Sequence, residues 1–342
     1  MSEGRGHAGD PPASREDESL ESLRVRVARA LEPDFQLLRV LGSGEAAHVF
    51  LAREPALQRL VAVKVLRPEA GARETVAARF EREAHLAAGI KHPGVPAVHR
   101  IGRLEDGVPF AIQEYVEGRT LRDRLETMGA VPPSEAKEIL ADLAFALVAA
   151  HAAGVIHRDV RPENVILASE SGRAILTDFG LAAVQETGAE TGPKLTREGE
   201  ILGDPRYASP EQLRGEPVTE QTDVYSLGVL GYEMLTLSNP FGSRSRGQLV
   251  ADHLEGAPRE LPAELTHADP RTAEILVRCL VKDPVRRPRA QEVATALSES
   301  GAPDSGAARL HGAGAWSDSV LAPFPRVAAF VSELRRRRVY QV

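Results

Sequence analysis

At 342 residues the chain is too long for one small core and suits two lobes or domains. Its composition is globular, 42% apolar and 27% charged, and a net charge of −7 argues against nonspecific nucleic-acid binding as its main task. The single cysteine, Cys279, excludes an internal disulfide framework; within Leu276-Val277-Arg278-Cys279-Leu280-Val281 it reads as a buried thiol and fits a reducing cytoplasm.

Residues 1–19 are polar and acidic, read as disordered and contain no apolar core of a secretory signal. Leu20, Leu23, Val27, Ala30 and Leu31 recur at helical spacing and predict a short amphipathic helix that completes an N-terminal segment of residues 1–34. Strand-like runs follow at Phe35 to Val40, Val49 to Leu51 and Leu60 to Leu66. Between the first two lies Leu41-Gly42-Ser43-Gly44-Glu45-Ala46-Ala47-His48-Val49, whose glycines let backbone N–H groups approach phosphate oxygens. Helix formers over residues 72–88 end at Gly89, and Val95 to Ile101 and Pro109 to Val116 are two more strand candidates. Residues 35–117 thus form a small β-rich lobe with one helix.

From Leu121 the pattern turns helical. Pro132-Pro133-Ser134-Glu135 opens a long helix that ends near Gly154, with Ser134 able to cap its first turn. The most apolar stretch, Leu143 to Ile156, includes His151 and falls short of the roughly 20 residues that span a bilayer, so it reads as a buried helix. Further helices are predicted at about residues 221–237, 246–255, 271–281 and 289–299, completing a larger, mostly helical lobe over residues 118–300. Residues 301–342 read as a linker and basic tail. Its Arg335, Arg336, Arg337 and Arg338 resemble the cytoplasmic flank of a transmembrane helix; the alternative is a basic tail on a soluble protein, or one that touches anionic lipid of a membrane. If the parent chain continues past residue 342, a cytoplasmic protein tethered at the inner face of the membrane is expected.

The chemistry concentrates in His157-Arg158-Asp159, with Asn164 five residues after the aspartate and Asp178-Phe179-Gly180 fourteen after that. Lys64 stands far upstream in Val61-Ala62-Val63-Lys64. Two acidic groups and an amide at these spacings can place one catalytic base and two metal ions around a triphosphate. In this order the residues resemble the protein kinases, in particular the eukaryotic-like serine/threonine kinases of bacteria, over about residues 35–300.

The resemblance implies an α+β, two-lobed kinase fold that transfers the ATP γ-phosphoryl group to protein serine or threonine in bacterial signalling. It implies ATP and Mg2+, with Mn2+ as the alternative, no nucleic acid, and a dimer for trans-autophosphorylation. Leu41, Gly42, Ser43, Gly44, Glu45, Ala46, Ala47, His48, Val49, Ala62, Lys64 and the backbone of Glu114 and Val116 would contact the nucleotide. Ala47 stands where the family has a third glycine, and Gln113 would lie at the back of the adenine pocket. Lys64 would reach the α- and β-phosphates and pair with Glu83. Glu81 is the alternative partner, and residues two apart on a helix point about 200° apart, so only one can face the lysine. Asp159 would accept or orient the substrate hydroxyl proton, Asn164 and Asp178 would hold the metal, and His157 and Phe179 would pack in the core. Arg158 would face the activation segment, where Thr187, Thr191 and Thr196 are candidate phosphorylation sites. Glu211 would pair with Arg287, Asp223 would brace the catalytic loop, and Glu163 would attract a basic substrate residue.

Two positions depart from the family. Arg161 replaces the usual lysine and Asp204 the usual threonine, which predicts a direct, bidentate Arg161–Asp204 ion pair. The alternative to an active kinase is a nucleotide-binding pseudokinase acting as a regulatory scaffold.

Overall fold

The computed structural model describes residues 15–44, 46–68, 74–179, 204–242 and 245–298, all within one unit, Met1–Ser300. Apolar, β-branched runs in the first third of the chain build one antiparallel sheet. Its strands are β1 (Gln36–Ser43), β2 (Ala47–Glu54), β3 (Arg59–Leu66), β4 (Val98–Arg103) and β5 (Pro109–Glu114), in the order β1-β2-β3-β5-β4. β3 is central and buried from Val61 to Leu66, which explains its continuous apolar run and makes Lys64 conspicuous.

Two helices cover this sheet, α1 (Arg15–Leu31) and α2 (Glu74–Ala87). α1 sends Leu23, Val27 and Leu31 into the same core as Phe50, Val63 and Ile112 of the sheet and Val76 and Phe80 of α2. It begins at Arg15, inside the segment whose polarity reads as disorder; strong helix formers there extend the helix. Leu23 is 1% exposed. Leu23→Ala is therefore expected to cost about 2–5 kcal/mol, with loss of thermal stability at about 2–4 °C per kcal/mol. A melting temperature within 2 °C of wild type would show that α1 is a dispensable appendage.

The second lobe is built on α3 (Leu121–Met128), α4 (Pro133–Ala152), α5 (Pro210–Arg214), α6 (Glu220–Thr236), α7 (Arg246–Glu255), α8 (Ala263–Ala268), α9 (Pro270–Cys279) and α10 (Ala290–Ser298). Leu140, Leu143 and Leu147 of α4 pack with Leu227 and Leu230 of α6 and Leu276 of α9 in its core. Gly228 of α6 admits Cys279: a Cβ there would lie 2.7 Å from the cysteine Cβ. Burial pushes the Cys279 thiol up to about 12. Ser134 does not cap α4; the helix starts at Pro133 with Pro132 at the N-cap and no side-chain capping bond, because proline at the first helical position needs no acceptor for an N–H.

The helical reading of this lobe omits a small antiparallel sheet of β6 (Gly118–Thr120), β7 (Val165–Ala168) and β8 (Ala174–Leu176), with β7 in the centre. Its strands are too short to show a period of two. It matters most for the site: residues 157–164 lead into β7, and residues 177–179 leave β8. Among the described residues no helix is long and apolar enough to cross a membrane. Residues 1–14, Glu45, Thr187, Thr191, Thr196 and the arginine tail lie outside the described residues.

Candidate active site

A buried ammonium needs a partner, because the charge loses its hydration on leaving water. Lys64 Nζ lies 2.7 Å from Asp178 Oδ1, with the lysine side chain only 5% exposed. Glu83 does not take that role here. It is buried on the α2 face formed by Val76, Phe80, Glu83 and Ala87, but its carboxylate meets Arg82 at 3.2 Å. Glu81, on the other side of the helix, is held outward by Arg103 at 2.6 and 3.0 Å. The helix phase therefore turns Glu83, not Glu81, inward, and the expected Lys64–Glu83 pair gives way to Lys64–Asp178. Lys64, Glu83, Asp178, Phe179 and Gln113 line one narrow cavity between α2 and the sheet.

The loop that carries His157, Arg158 and Asp159 is braced by Asp223, in the first turn of α6 and 0% exposed. Its carboxylate accepts from the His157 and Arg158 backbone N–H groups at 2.8 and 2.7 Å and bonds His151 Nε2 at 2.8 Å. These bonds hold Arg158 at φ 69°, a left-handed conformation that costs a non-glycine residue energy. Asp178 also adopts a left-handed conformation, at φ 67°. His157 is a core residue: its ring packs edge-on against Phe179 with centroids 4.6 Å apart, and Nε2 donates to the Thr177 carbonyl at 2.7 Å.

Asn164 joins the two acidic positions. Its Nδ2 donates to both the carbonyl and the Oδ2 of Asp159 at 2.8 Å, while its carbonyl accepts from the Thr177 N–H, also at 2.8 Å. Spending Nδ2 on Asp159 leaves Oδ1 as the remaining acceptor. Desolvation in the cleft pushes the Asp159 carboxyl upward, against the opposing pull of Arg161, His157 and Asn164.

Arg161 touches three carboxylates: Glu163 at 2.9 Å, Asp204 at 3.5 Å and Asp159 at 4.0 Å. Its pair with Asp204 therefore forms but is not bidentate. Arg206 takes the bidentate grip, with Nε 3.1 and 2.8 Å from the two Asp204 oxygens and the Arg206 N–H 3.0 Å from Oδ1. Only Pro205 separates them, so this side chain folds back within one turn. Burial alone would raise Glu163, but Arg161 and Arg122 outweigh it and hold the carboxyl down at about 2.

The phosphate-loop candidates lie at the β1–β2 turn. Gly44 N–H is not free but donates to the Ala47 carbonyl at 2.9 Å, and Arg67 Nε bonds the Gly44 carbonyl at 2.9 Å. Ala47 pairs with Leu66 inside β2 without positive φ, so it needs no glycine freedom. Ala46 belongs to the sheet core, and His48 is buried with Nδ1 2.9 Å from Ser43 Oγ. Leu41, Gly42 and Ser43 end β1, where Gly42 pairs with Val49. Ala62 sits in β3 opposite Gln113. Glu114 ends β5 with its N–H on the Ala97 carbonyl at 2.8 Å, and Val116 follows outside the strand. Arg122, which no local sequence signal marks, bonds Glu163, Glu233 and Tyr207 beside the catalytic loop.

A five-stranded lobe with one inserted helix, joined to a helical lobe, with Lys64 on the central strand β3 and Asp159, Asn164 and Asp178 on the segments flanking β7 and β8, defines a protein kinase. The protein kinase domain family matches residues 35–296. Serine/threonine-protein kinase PknB of Mycolicibacterium smegmatis is 38% identical over 262 residues, 75% of this chain and 41% of that protein. The corresponding figures for Serine/threonine-protein kinase pkn3 of Myxococcus xanthus are 34% over 311 residues, 89% and 56%. Among solved structures, the kinase domain of Mycobacterium tuberculosis PknI superposes with a TM-score of 0.58 at 28% identity, covering 78% of this chain and 94% of that one. The chain belongs to the eukaryotic-like serine/threonine protein kinases of bacteria. It spans about two-fifths to just over half the length of these curated relatives.

Proposed function

We propose that the domain is an active kinase that transfers the γ-phosphoryl group of ATP to serine or threonine hydroxyls of proteins, its own activation segment included. The observation that carries this reading is the hydrogen-bonded set of Lys64–Asp178 and Asn164–Asp159, joined through Thr177 and placed by β7 and β8. Asp159 would accept or orient the proton of the attacking hydroxyl, and its upward shift makes it a stronger base than an ordinary aspartate. Lys64 would meet the phosphates with its ammonium, and Glu83, already facing the same cavity, offers it a second carboxylate when Asp178 is engaged elsewhere. Arg161 would steady Asp159 from the Asp204 side.

The oxygens left over fit a hard cation. Asn164 Oδ1 and the second oxygen of Asp178 are not engaged by Asp159 or Lys64. Among the described residues no cluster of three or more His, Cys, Asp or Glu could hold a metal alone, and a cation shared with a triphosphate needs only one or two protein oxygens. Mg2+ suits this set and Mn2+ accepts it; when bound, the cation would neutralise charge on the β- and γ-phosphates. ATP as donor suits a cytoplasmic domain.

The test is incubation with Mg·ATP and peptides carrying serine, threonine or tyrosine as the sole acceptor, with sites mapped by mass spectrometry. Transfer to serine and threonine is expected. ATP binding without transfer to any acceptor would replace this reading with the pseudokinase.

A further inference from the structure

Two carboxylates beside a hydroxyl-binding cleft ordinarily recruit a cation from the substrate, because charge-assisted hydrogen bonds are the strong ones. Glu163, four residues after Asp159, and Glu233, on α6, are such a pair. Here both are already taken. Arg122, in the first turn of α3, places Nε 3.0 Å from Glu163 Oε1, Nη1 3.1 Å from Glu233 Oε1 and Nη2 2.5 Å from the Tyr207 hydroxyl. Tyr207 in turn donates to the second oxygen of Glu233. Glu163 also meets Arg161 at 2.9 Å and Arg206 at 3.5 Å.

We propose that Arg122 is an internal occupant of a basic-residue subsite: it fills the place a substrate arginine would take, and so sets the enzyme's indifference to basic residues around the acceptor. This inference rests on the kinase reading above and replaces the expectation that Glu163 attracts a basic substrate residue. The charge at the contact supports it. Arg122, Arg161 and Arg206 stand against Glu163, Asp204 and Glu233, so each of these three carboxylates already faces a cation of the chain itself. The Arg122 side chain is 17% exposed, so its removal opens a guanidinium-sized space toward solvent. The helix survives its loss, because the Thr120–Asp123 capping box holds the first turn without it.

The experiment compares wild type with Arg122→Ala on one neutral serine peptide and a panel carrying a single arginine at each flanking position. Dissociation constants are read by fluorescence anisotropy and turnover by phosphate transfer. Wild type is expected to vary less than about threefold across the panel. Arg122→Ala should gain about 10- to 100-fold for at least one arginine position. The gain should appear in Kd and KM rather than kcat, weaken with salt, and vanish in Arg122→Ala with Glu233→Gln. Arg122→Met, which keeps the bulk without the charge, replaces the alanine variant if that one does not fold. A wild type that already prefers arginine tenfold, or a variant that binds every peptide alike, overturns the proposal. A gain in affinity with no phosphate transfer by either protein would retain the subsite and remove the kinase reading instead.

Discussion

Asp159→Asn is expected to lower phosphate transfer by about 10²- to 10⁴-fold, the range a positioned proton acceptor contributes, with the fold retained. The amide is isosteric with the carboxylate. Its oxygen can still accept from Asn164 Nδ2, and the Asn164 bond to the residue 159 carbonyl does not involve the side chain. Arg161 loses a partner at 4.0 Å and keeps Glu163 at 2.9 Å. What disappears is the basic oxygen. The pH profile carries the same information. Burial raises the Asp159 carboxyl above the ordinary aspartate value of about 3.9, and the reaction needs its ionised form. Wild-type activity should therefore rise with pH through an acid limb lying above that value, and the variant should lack the limb. Stability follows with the opposite sign. A raised carboxyl contributes stability below its unfolded value and loses it as pH climbs through the folded one, so at neutral pH the variant should unfold no earlier than wild type. Activity within tenfold of wild type at saturating Mg·ATP would remove Asp159 from the mechanism.

Arg287→Lys is expected to destabilise the domain by about 3–5 kcal/mol despite conserving the charge. The Arg287 side chain is 0% exposed and its guanidinium is saturated. Nη1 and Nη2 grip the two Glu211 oxygens at 2.7 and 2.8 Å, and the remaining donors reach the carbonyls of Val281, Gln221 and Lys282 at 2.7, 2.9 and 2.8 Å. Lysine has three donors and no planar fork, so it must leave buried carbonyls unpaired. At about 2–4 °C per kcal/mol the melting temperature should fall by roughly 6–20 °C. The companion pair Glu211→Gln with Arg287→Met should lose less than Arg287→Met alone, because an unpartnered buried carboxylate costs more than none. A lysine variant that melts with wild type would show that the clasp contributes charge alone.

The parts of this architecture readable from sequence are those set by short-range pattern. The apolar run of β3 with a lysine in it, the helix phase that separates Glu81 from Glu83, and the catalytic-loop spacing all reside in a few consecutive turns. The parts that escape are choices among partners brought together by the fold. Whether Lys64 meets Glu83 or Asp178 depends on where α2 sits, which no residue of β3 encodes. Asp204 has Arg161 and Arg206 within reach, and only the tight turn between residues 204 and 206 decides in favour of the nearer. Arg122 lies 41 residues from Glu163 and 111 from Glu233 along the chain, so no motif window contains them together. Strands β6 to β8 escape for another reason: three or four residues cannot display a period.

The helix α1 gives the two lobes different histories during synthesis. Every residue of the first lobe's core, from Leu23 to Ile112, is synthesised before the second lobe begins, so that core can close while translation continues. The second lobe has no such liberty. Its Glu211 carboxylate is made 76 residues ahead of the arginine that must neutralise it, and Arg287 emerges only shortly before α10 completes the domain. The nascent kinase thus carries a complete small-lobe core while its Glu211 carboxylate still waits for a guanidinium made 76 residues later.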